Sequence, residues 1–382
     1  MKKKAIGLMS GTSLDGIDVL IADINHAGLK TSVDMVHANT YAYHEPLLRK
    51  IKQAISQETS TSKLICSLNH ELAEAYAECV FAVCREAGVD LNDIAFIASH
   101  GQTIYHIAEK GKGCVPSSLQ LGDGSVLANL TKTTVVSNFR TADIAAGGSG
   151  APLVSFADYL LFRDKKKGRL LQNIGGISNV TCVPKNAAID DVFAFDNGPG
   201  NMMINRAMER LFQKPYDQDG LTAKKGKIVG PLLDTVFSNP YFHEKPPKST
   251  GREIFGISYT DALLKTYDKE RPEDIIATLT EVTAKAIMAS YKEFIFPHHR
   301  IDEVIVSGGG AHNKALIKRL KSYAEMPKFR DSDDDGIPVD YKEALAFIIL
   351  ANETLHHRPS NVPGATGAAT RVVLGQISPV IK

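Results

Sequence analysis

The stretch Ala5–Ile24, AIGLMSGTSLDGIDVLIADI, decides how the rest of the chain is read. Two apolar runs, Ala5–Met9 and Ile17–Ile24, flank the loop Ser10-Gly11-Thr12-Ser13-Leu14-Asp15-Gly16. The second run alternates apolar and polar residues, with Asp18 and Asp23 breaking it, which is a strand pattern and not a helical one. The expectation is a β-hairpin whose tip carries two glycines, three hydroxyls and a carboxylate. Glycine brings backbone N–H groups close to a ligand, and hydroxyls beside them suit phosphate oxygens. A carboxylate at the same tip suits the Mg²⁺ that travels with a nucleotide. Gly11 and Gly16 have Walker A spacing, but Ile17 stands where that motif needs Lys, and a strand follows instead of a helix. Walker A is excluded; an ordinary hairpin turn is the competing reading of this loop alone.

Length and composition narrow the rest. The chain has 382 residues, 43% hydrophobic and 23% charged, enough to bury a large core and to split into two domains. A net charge of +1 argues against broad electrostatic binding to nucleic acid or to an anionic membrane. Met1-Lys2-Lys3-Lys4 before an apolar run resembles a signal peptide, but Asp15 and Asp18 fall where the apolar stretch must continue. No uncharged run reaches transmembrane length. Five cysteines with no C-x-x-C pair read as reduced, structural thiols of a cytoplasmic protein.

A second unit echoes the first. Strand Leu170–Asn173 enters Ile174-Gly175-Gly176-Ile177-Ser178-Asn179, and Val180–Val183 leaves it. One such turn means little; two, each near the start of a presumed domain, suggest an internal duplication around a nucleotide cleft. Strand Val192–Phe195 ends at Asp196, followed by Asn197-Gly198-Pro199-Gly200 and helix Asn201–Phe212. A carboxylate held at a strand end beside a glycine turn suits a general base, or else caps the helix entry. Strand Glu303–Val306 runs into Ser307-Gly308-Gly309-Gly310, leaving bare backbone for a flat ring or phosphate.

The remaining segments supply polar candidates. His44–Gly88 has helical periodicity, and the short strand Ile94–Ala98 ends in Ser99-His100-Gly101-Gln102-Thr103. His100 reads equally as a ligand group or as a satisfied interior histidine. Arg140 and Asp143 adjoin the run Ala145–Pro152, the best domain boundary on composition and a plain linker otherwise. Asn239–Gly251, with Pro240, Pro246 and Pro247, reads as a surface loop or flap. Asp331–Gly336 begins like an EF-hand, but Lys342 occupies the position that needs Glu, so calcium is not expected. Lys342–Thr354 reads as helix with Glu343 in its first turn, and Arg371–Gly375 as a final strand.

Together these motifs resemble the phosphate 1, phosphate 2 and adenosine motifs of the actin, hexokinase and heat-shock-chaperone ATPase superfamily. More narrowly, the chain resembles the anhydro-N-acetylmuramic acid kinase family. The resemblance is carried by Gly7–Asp18, Ser99–Thr103, Asn138–Arg140 with Asp143–Gly148, Asn173–Asn179, Phe195–Asn201, Ser307–Gly310 and Lys342–Phe347. It departs at Asn197, where Thr is the commoner residue. The resemblance implies two ribonuclease-H-like α/β domains around a central nucleotide cleft, residues 1–139 with 366–382 forming one and 140–365 the other. It implies ATP, Mg²⁺ and an anhydrosugar as ligands, and it is compatible with a homodimer. Asp196 would be the catalytic base. Gly11, Thr12, Ser13, Leu14, Asp15, Gly16, Ile17 and Asp18 would hold the nucleotide with Gly175, Gly176, Gly308, Gly309 and Gly310. Asp15 and Asp18 would meet the metal, and His100, Arg140, Asp143 and Glu343 the sugar. Another sugar or acyl kinase, or a nucleotide-switch protein, is the rival within the superfamily. A Rossmann dehydrogenase is disfavoured, because no G-x-G-x-x-G joins the first strand to a helix.

Overall fold

A computed structural model describes residues 2–11, 14, 16–108, 111, 113–323, 327–331 and 340–380. Thr12, Ser13, Asp15 and most of the acidic Asp331–Gly336 segment therefore lie outside the described residues. The chain divides into two compact units, Met1–Leu161 with Tyr341–Lys382, and Phe162–Asp340.

The first unit is built on strands β1 (Lys3–Ser10), β2 (Ile17–Asn25), β3 (Ser32–Tyr41), β4 (Ile94–Ile107), β5 (Ser117–Leu121) and β6 (Val135–Ser137). Strands β1 and β2 pair antiparallel from Lys3 opposite Ile24 to Met9 opposite Asp18, which forms the hairpin expected from the sequence. Across the sheet the order is β6-β4-β1-β2-β3, with β4 parallel to β1 and a short strand, Gln376–Ser378, closing the edge. Ile6, Leu8, Val19 and Ile21 pack against Leu68, Leu72, Tyr76, Val80 and Val83 of helix Ser62–Ala87, spaced at three- and four-residue steps. That helix starts where the Thr61 hydroxyl accepts the Leu64 N–H and stops at Gly88 in the left-handed region. Helix Lys342–Leu355 lies directly on β1: a Cβ at Gly7 would collide with the Ala344 carbonyl. That close approach sets the position of Glu343 in the helix's first turn.

The second unit repeats the plan with β7 (Arg169–Ile174), β8 (Ile177–Val183), β9 (Phe193–Pro199), β10 (Glu303–Ser307) and β11 (Lys328–Asp331). Its order is β11-β10-β7-β8-β9, again with an antiparallel hairpin in the middle and a parallel strand beside its first member. Helix Pro272–Ser290 is buried on nearly all sides because it separates two clusters, one around Phe242, Phe255 and Leu279, the other around Phe195, Ile287 and Val304. Among the described residues no helix is long and apolar enough to cross a membrane.

Several expectations are corrected. Residues 140–161 and 341–365 pack with the first unit, not the second. The Ala145–Pro152 run is no linker: Ser149 N–H donates to the Thr366 carbonyl at 2.8 Å and Ala369 N–H to Ala146 at 2.8 Å. Small residues there permit close backbone contact and not a break between domains. The His44–Gly88 stretch is two helices, Glu45–Ile55 and Ser62–Ala87, because the polar Ser56–Thr61 segment caps instead of propagating. Strand β4 continues through Ser99–Thr103 by pairing first with β1 and, from Gln102, with β5. Asn239–Gly251 is no free flap, since Tyr241 and Phe242 enter the core and Lys248 is buried. Arg371–Gly375 forms no strand; its Val372 N–H is taken by the Asn361 side chain at 2.7 Å.

Candidate active site

In the second unit the ends of β7, β9 and β10 lie together. Ile177 at the start of β8 pairs with Pro199 at the end of β9, and Ser307 at the end of β10 pairs with Asn173 of β7. The turn after β9 is bound to the glycine hairpin: Gly200 N–H donates to the Gly176 carbonyl at 2.9 Å and Asn201 N–H to Gly175 at 2.8 Å. The glycines of this region fall in two groups. A side chain at Gly200, Gly308 or Gly310 would strike Gly175 O, Asn173 Oδ1 or Ile174 Cγ2, so packing demands glycine there. A Cβ at Gly175, Gly176 or Gly309 would meet nothing nearer than 3.6 Å. Protein packing gives no reason for glycine at those three positions.

Asp196 stands on β9 opposite Asn179. Its N–H donates to the Lys248 carbonyl at 3.1 Å, its carbonyl accepts the Tyr241 hydroxyl at 2.8 Å, and Oδ2 accepts the Thr250 N–H at 2.9 Å. Burial pushes the carboxyl up to about 7; Glu253 adds to the rise, while the Thr250 N–H and Lys248 oppose it. A carboxyl in that range exchanges protons near neutrality. The neighbouring Asn197 is turned to other work. It accepts from Gln172 Nε2 at 2.9 Å and donates to Ser290 Oγ at 2.6 Å, part of a buried network that ends at Tyr291.

In the first unit, His100 and Arg140 form one pair. Arg140 Nη2 donates to His100 Nε2 at 2.7 Å, which places the imidazole proton on Nδ1. Burial, with the nearby guanidinium, lowers the His100 pKa to about 3, so the ring is neutral. Its ring centre lies 4.8 Å from that of Phe347, the two planes tilted by 50°. Arg140 Nη1 donates to the Gly150 carbonyl at 2.7 Å, and its buried Nε has no partner among the described residues. Burial lowers the Arg140 pKa to about 10 against the pull of Glu343 and Asp143. Asp143 is fully buried. Oδ1 accepts from Asn361 at 2.8 Å and Thr366 at 2.7 Å, and Oδ2 accepts the Gly150 N–H at 2.9 Å.

Glu343 is raised above the usual carboxylate range, first by burial, with the charges of Asp18 and Asp158 adding and those of Lys342 and Arg140 opposing. Asp18 in turn accepts the Thr40 hydroxyl at 2.6 Å. Gly11 is reached by Gln102, whose Nε2 donates to its carbonyl at 3.2 Å. Leu14, at φ +60°, packs against the apolar core beside the hairpin. Gly16 and Ile17 are buried where β2 begins.

The structure thus groups His100, Arg140 and Asp143 with Glu343 and Asp18 by contact or charge, and Gly175, Gly176 and Gly308–Gly310 with the strand of Asp196. Sequence reasoning missed Gln102, Asn361 and Thr366, and also Tyr241, Lys248 and Thr250 around Asp196. Gln102 alone had a local signal, its place in the polar cluster after Ala98.

The two units are α/β sheets of one strand order, each with a turn at the end of its central hairpin. Residues 3–380 match the family described as anhydro-N-acetylmuramic acid kinase, and the chain belongs to that family. It is 52% identical over 376 residues to the anhydro-N-acetylmuramic acid kinase of Francisella tularensis subsp. novicida (strain U112), covering 98% of each chain. It is 48% identical over 375 residues, again 98% of each, to the protein of that name from Bacillus thuringiensis subsp. konkukian (strain 97-27). Among solved structures, component A of the Acidaminococcus fermentans (R)-2-hydroxyglutaryl-CoA dehydratase aligns over 91% of this chain and 96% of its own, at 14% identity and a TM-score of 0.46.

Proposed function

We propose that the chain opens and phosphorylates 1,6-anhydro-N-acetylmuramic acid. ATP, water and the anhydrosugar give N-acetylmuramic acid 6-phosphate and ADP, a step in the recycling of cell-wall amino sugar. Family membership and the relatives' name support the substrate. The observation that carries the chemistry is Asp196: a partly enclosed carboxylate, gripped through Oδ2, with a pKa of about 7.

Asp196 takes a proton from water as the water oxygen attacks the anomeric carbon, and the bond from that carbon to the 6-oxygen breaks. The released oxygen attacks the γ-phosphorus, ADP leaves, and Asp196 returns its proton to solvent. No separate acid is needed, because the departing oxygen passes its charge to phosphorus. The phosphoryl half needs positioning and charge neutralisation.

The bare backbone of Gly175, Gly176 and Gly309 fits a nucleotide, since each position has room for a Cβ that the protein itself does not forbid. In the second unit Gly175 and Gly176 would bind phosphate and Gly308–Gly310 the adenosine; in the first unit Gly11, Thr12, Ser13, Leu14, Gly16 and Ile17 would bind phosphate. The hard carboxylate oxygens of Asp18 and Asp15 suit Mg²⁺, which would neutralise phosphate charge when bound. Arg140, His100 and Glu343 would meet the sugar, with Arg140 Nε a donor still to be used. Asp143 fits a positioning role, because both its oxygens already serve internal donors.

The test is incubation with the anhydrosugar, ATP and Mg²⁺ in ¹⁸O-labelled water, followed by mass spectrometry of the product. The expected product is a phosphosugar labelled at the anomeric position. A phosphosugar without label would mean an ordinary sugar kinase, and no product would overturn the reading.

A further inference from the structure

The segment Tyr241–Thr250 contains a buried lysine that none of these roles uses. Lys248 Nζ donates to the Tyr241 carbonyl at 3.1 Å and to the Phe242 carbonyl at 3.4 Å. It also lies 4.7 Å from the centre of the Tyr241 ring and 5.0 Å from that of Phe294. Taking an ammonium out of water is costly, and carbonyl dipoles and ring faces offset that only in part. An apolar side chain could fill the same space without that cost, so packing alone does not account for the charge.

The residues tied together by this lysine are the ones that hold Asp196. Tyr241, at one end of the loop, gives its hydroxyl to the Asp196 carbonyl. Lys248 itself, at the other end, gives its carbonyl to the Asp196 N–H, and two residues later Thr250 gives its N–H to Oδ2. Asp196 is thus gripped at three points by one loop, and the ammonium is the bolt between that loop's ends. We propose that Lys248 is a positioning residue for Asp196: it ties together the loop whose Thr250 N–H holds Oδ2, and leaves Oδ1 to take the proton.

The charges acting on Asp196 are those of Lys248 and Glu253, with opposite signs of effect. Burial lowers the Lys248 pKa, while Glu244, Glu293 and Asp196 favour its charged form. Removing the ammonium therefore makes Asp196 harder to ionise, and removing the Glu253 charge makes it easier.

The inference rests on Asp196 being the base, and the experiment separates the two ideas. Initial rates of the full-length enzyme are measured across neutral pH for wild type, Lys248→Met, Lys248→Gln, Lys248→Arg, Glu253→Gln and Asp196→Asn. In Lys248→Met, kcat is expected to fall ~10-fold, with KM for both substrates within ~2-fold and the acid limb of kcat/KM moved to higher pH. Glu253→Gln moves that limb the other way, and Lys248→Arg restores most of kcat. Should Lys248→Met not fold, Lys248→Gln, which keeps a donor for the Tyr241 carbonyl but no charge, must show the upward displacement. A limb that stays in place in folded Lys248→Met and Lys248→Gln overturns the positioning role. Turnover retained in Asp196→Asn overturns the base assignment instead.

Discussion

The strand ends of the two sheets invite comparison because the topology is the same and the chemistry is not. In the first unit the polar side chains are largely spoken for. Asp143 accepts from three donors, and Arg140 is held by His100 and Gly150. In the second unit the distinctive features are backbone without side chains, at Gly175, Gly176 and Gly309, and one carboxylate whose proton affinity is raised by its surroundings. A duplicated framework has thus been given two kinds of end. One is stiffened by buried, hydrogen-bonded polar side chains, the other left smooth around a titratable group. Stiff side-chain arrays suit recognition of a hydroxyl-rich solute; smooth backbone and a tuned carboxyl suit phosphate and proton transfer.

The contrast predicts where damage is chemical and where it is structural. Asp196→Asn should reduce turnover by ~10²–10⁴ while leaving the nucleotide dissociation constant within a few-fold, as read by steady-state kinetics and calorimetry. A variant with near-normal turnover would remove the second unit's claim to the chemistry. Asp143→Ala should do the opposite. Leaving the Asn361, Thr366 and Gly150 donors buried without their carboxylate costs about 3–5 kcal/mol, seen as a large loss in denaturant stability. Unchanged stability with a raised sugar KM would make Asp143 a direct ligand and blur the comparison.

The glycines sharpen it further. Gly200→Ala should destabilise by about 1–3 kcal/mol or more, since its Cβ has no space. Gly176→Ala should leave the melting temperature nearly unchanged and raise the ATP KM ~10-fold. Equal stability losses at both positions would mean that Gly176 serves packing alone.

The smallest expected effect concerns pH. An Asp196 pKa of about 7 in the folded protein lies above the ordinary 3.8, so protonation favours folding; that contribution is full below the ordinary value and lost as pH rises through about 7. Asp196→Asn should therefore melt at a higher temperature than wild type at alkaline pH, by ~3 °C, and gain nothing below pH ~4. The wild-type kcat/KM should rise with pH through the same region.

Much of this was open to reading along the chain. The β1–β2 hairpin and its partner at Gly175-Gly176 announced themselves by apolar runs broken with glycine, signals that depend only on near neighbours. Asp196, Gly308–Gly310 and Glu343 were visible for the same reason, each standing at a predicted boundary between elements. The unit boundary was misplaced because small residues at Ala145–Pro152 look alike whether they break a chain or let two backbones touch. Lys248 was hidden in a proline-rich stretch that composition marks as surface loop, although Tyr241 and Phe242 carry it into the core.

The order of residues by itself determined the duplicated strand–turn–strand plan and the exclusion of a Walker A or Rossmann turn, whereas Asp196, expected at a strand end, lies within β9, which runs on to Pro199. Only the tertiary structure decided which glycines are compelled by packing, that Asp143 is spent on internal donors, and that a distant loop grips Asp196. Periodicity and turn chemistry act over a few residues, whereas burial, charge pairing and hydrogen-bond saturation depend on groups 50 or more positions apart, as Thr250 and Asp196 are at a separation of 54.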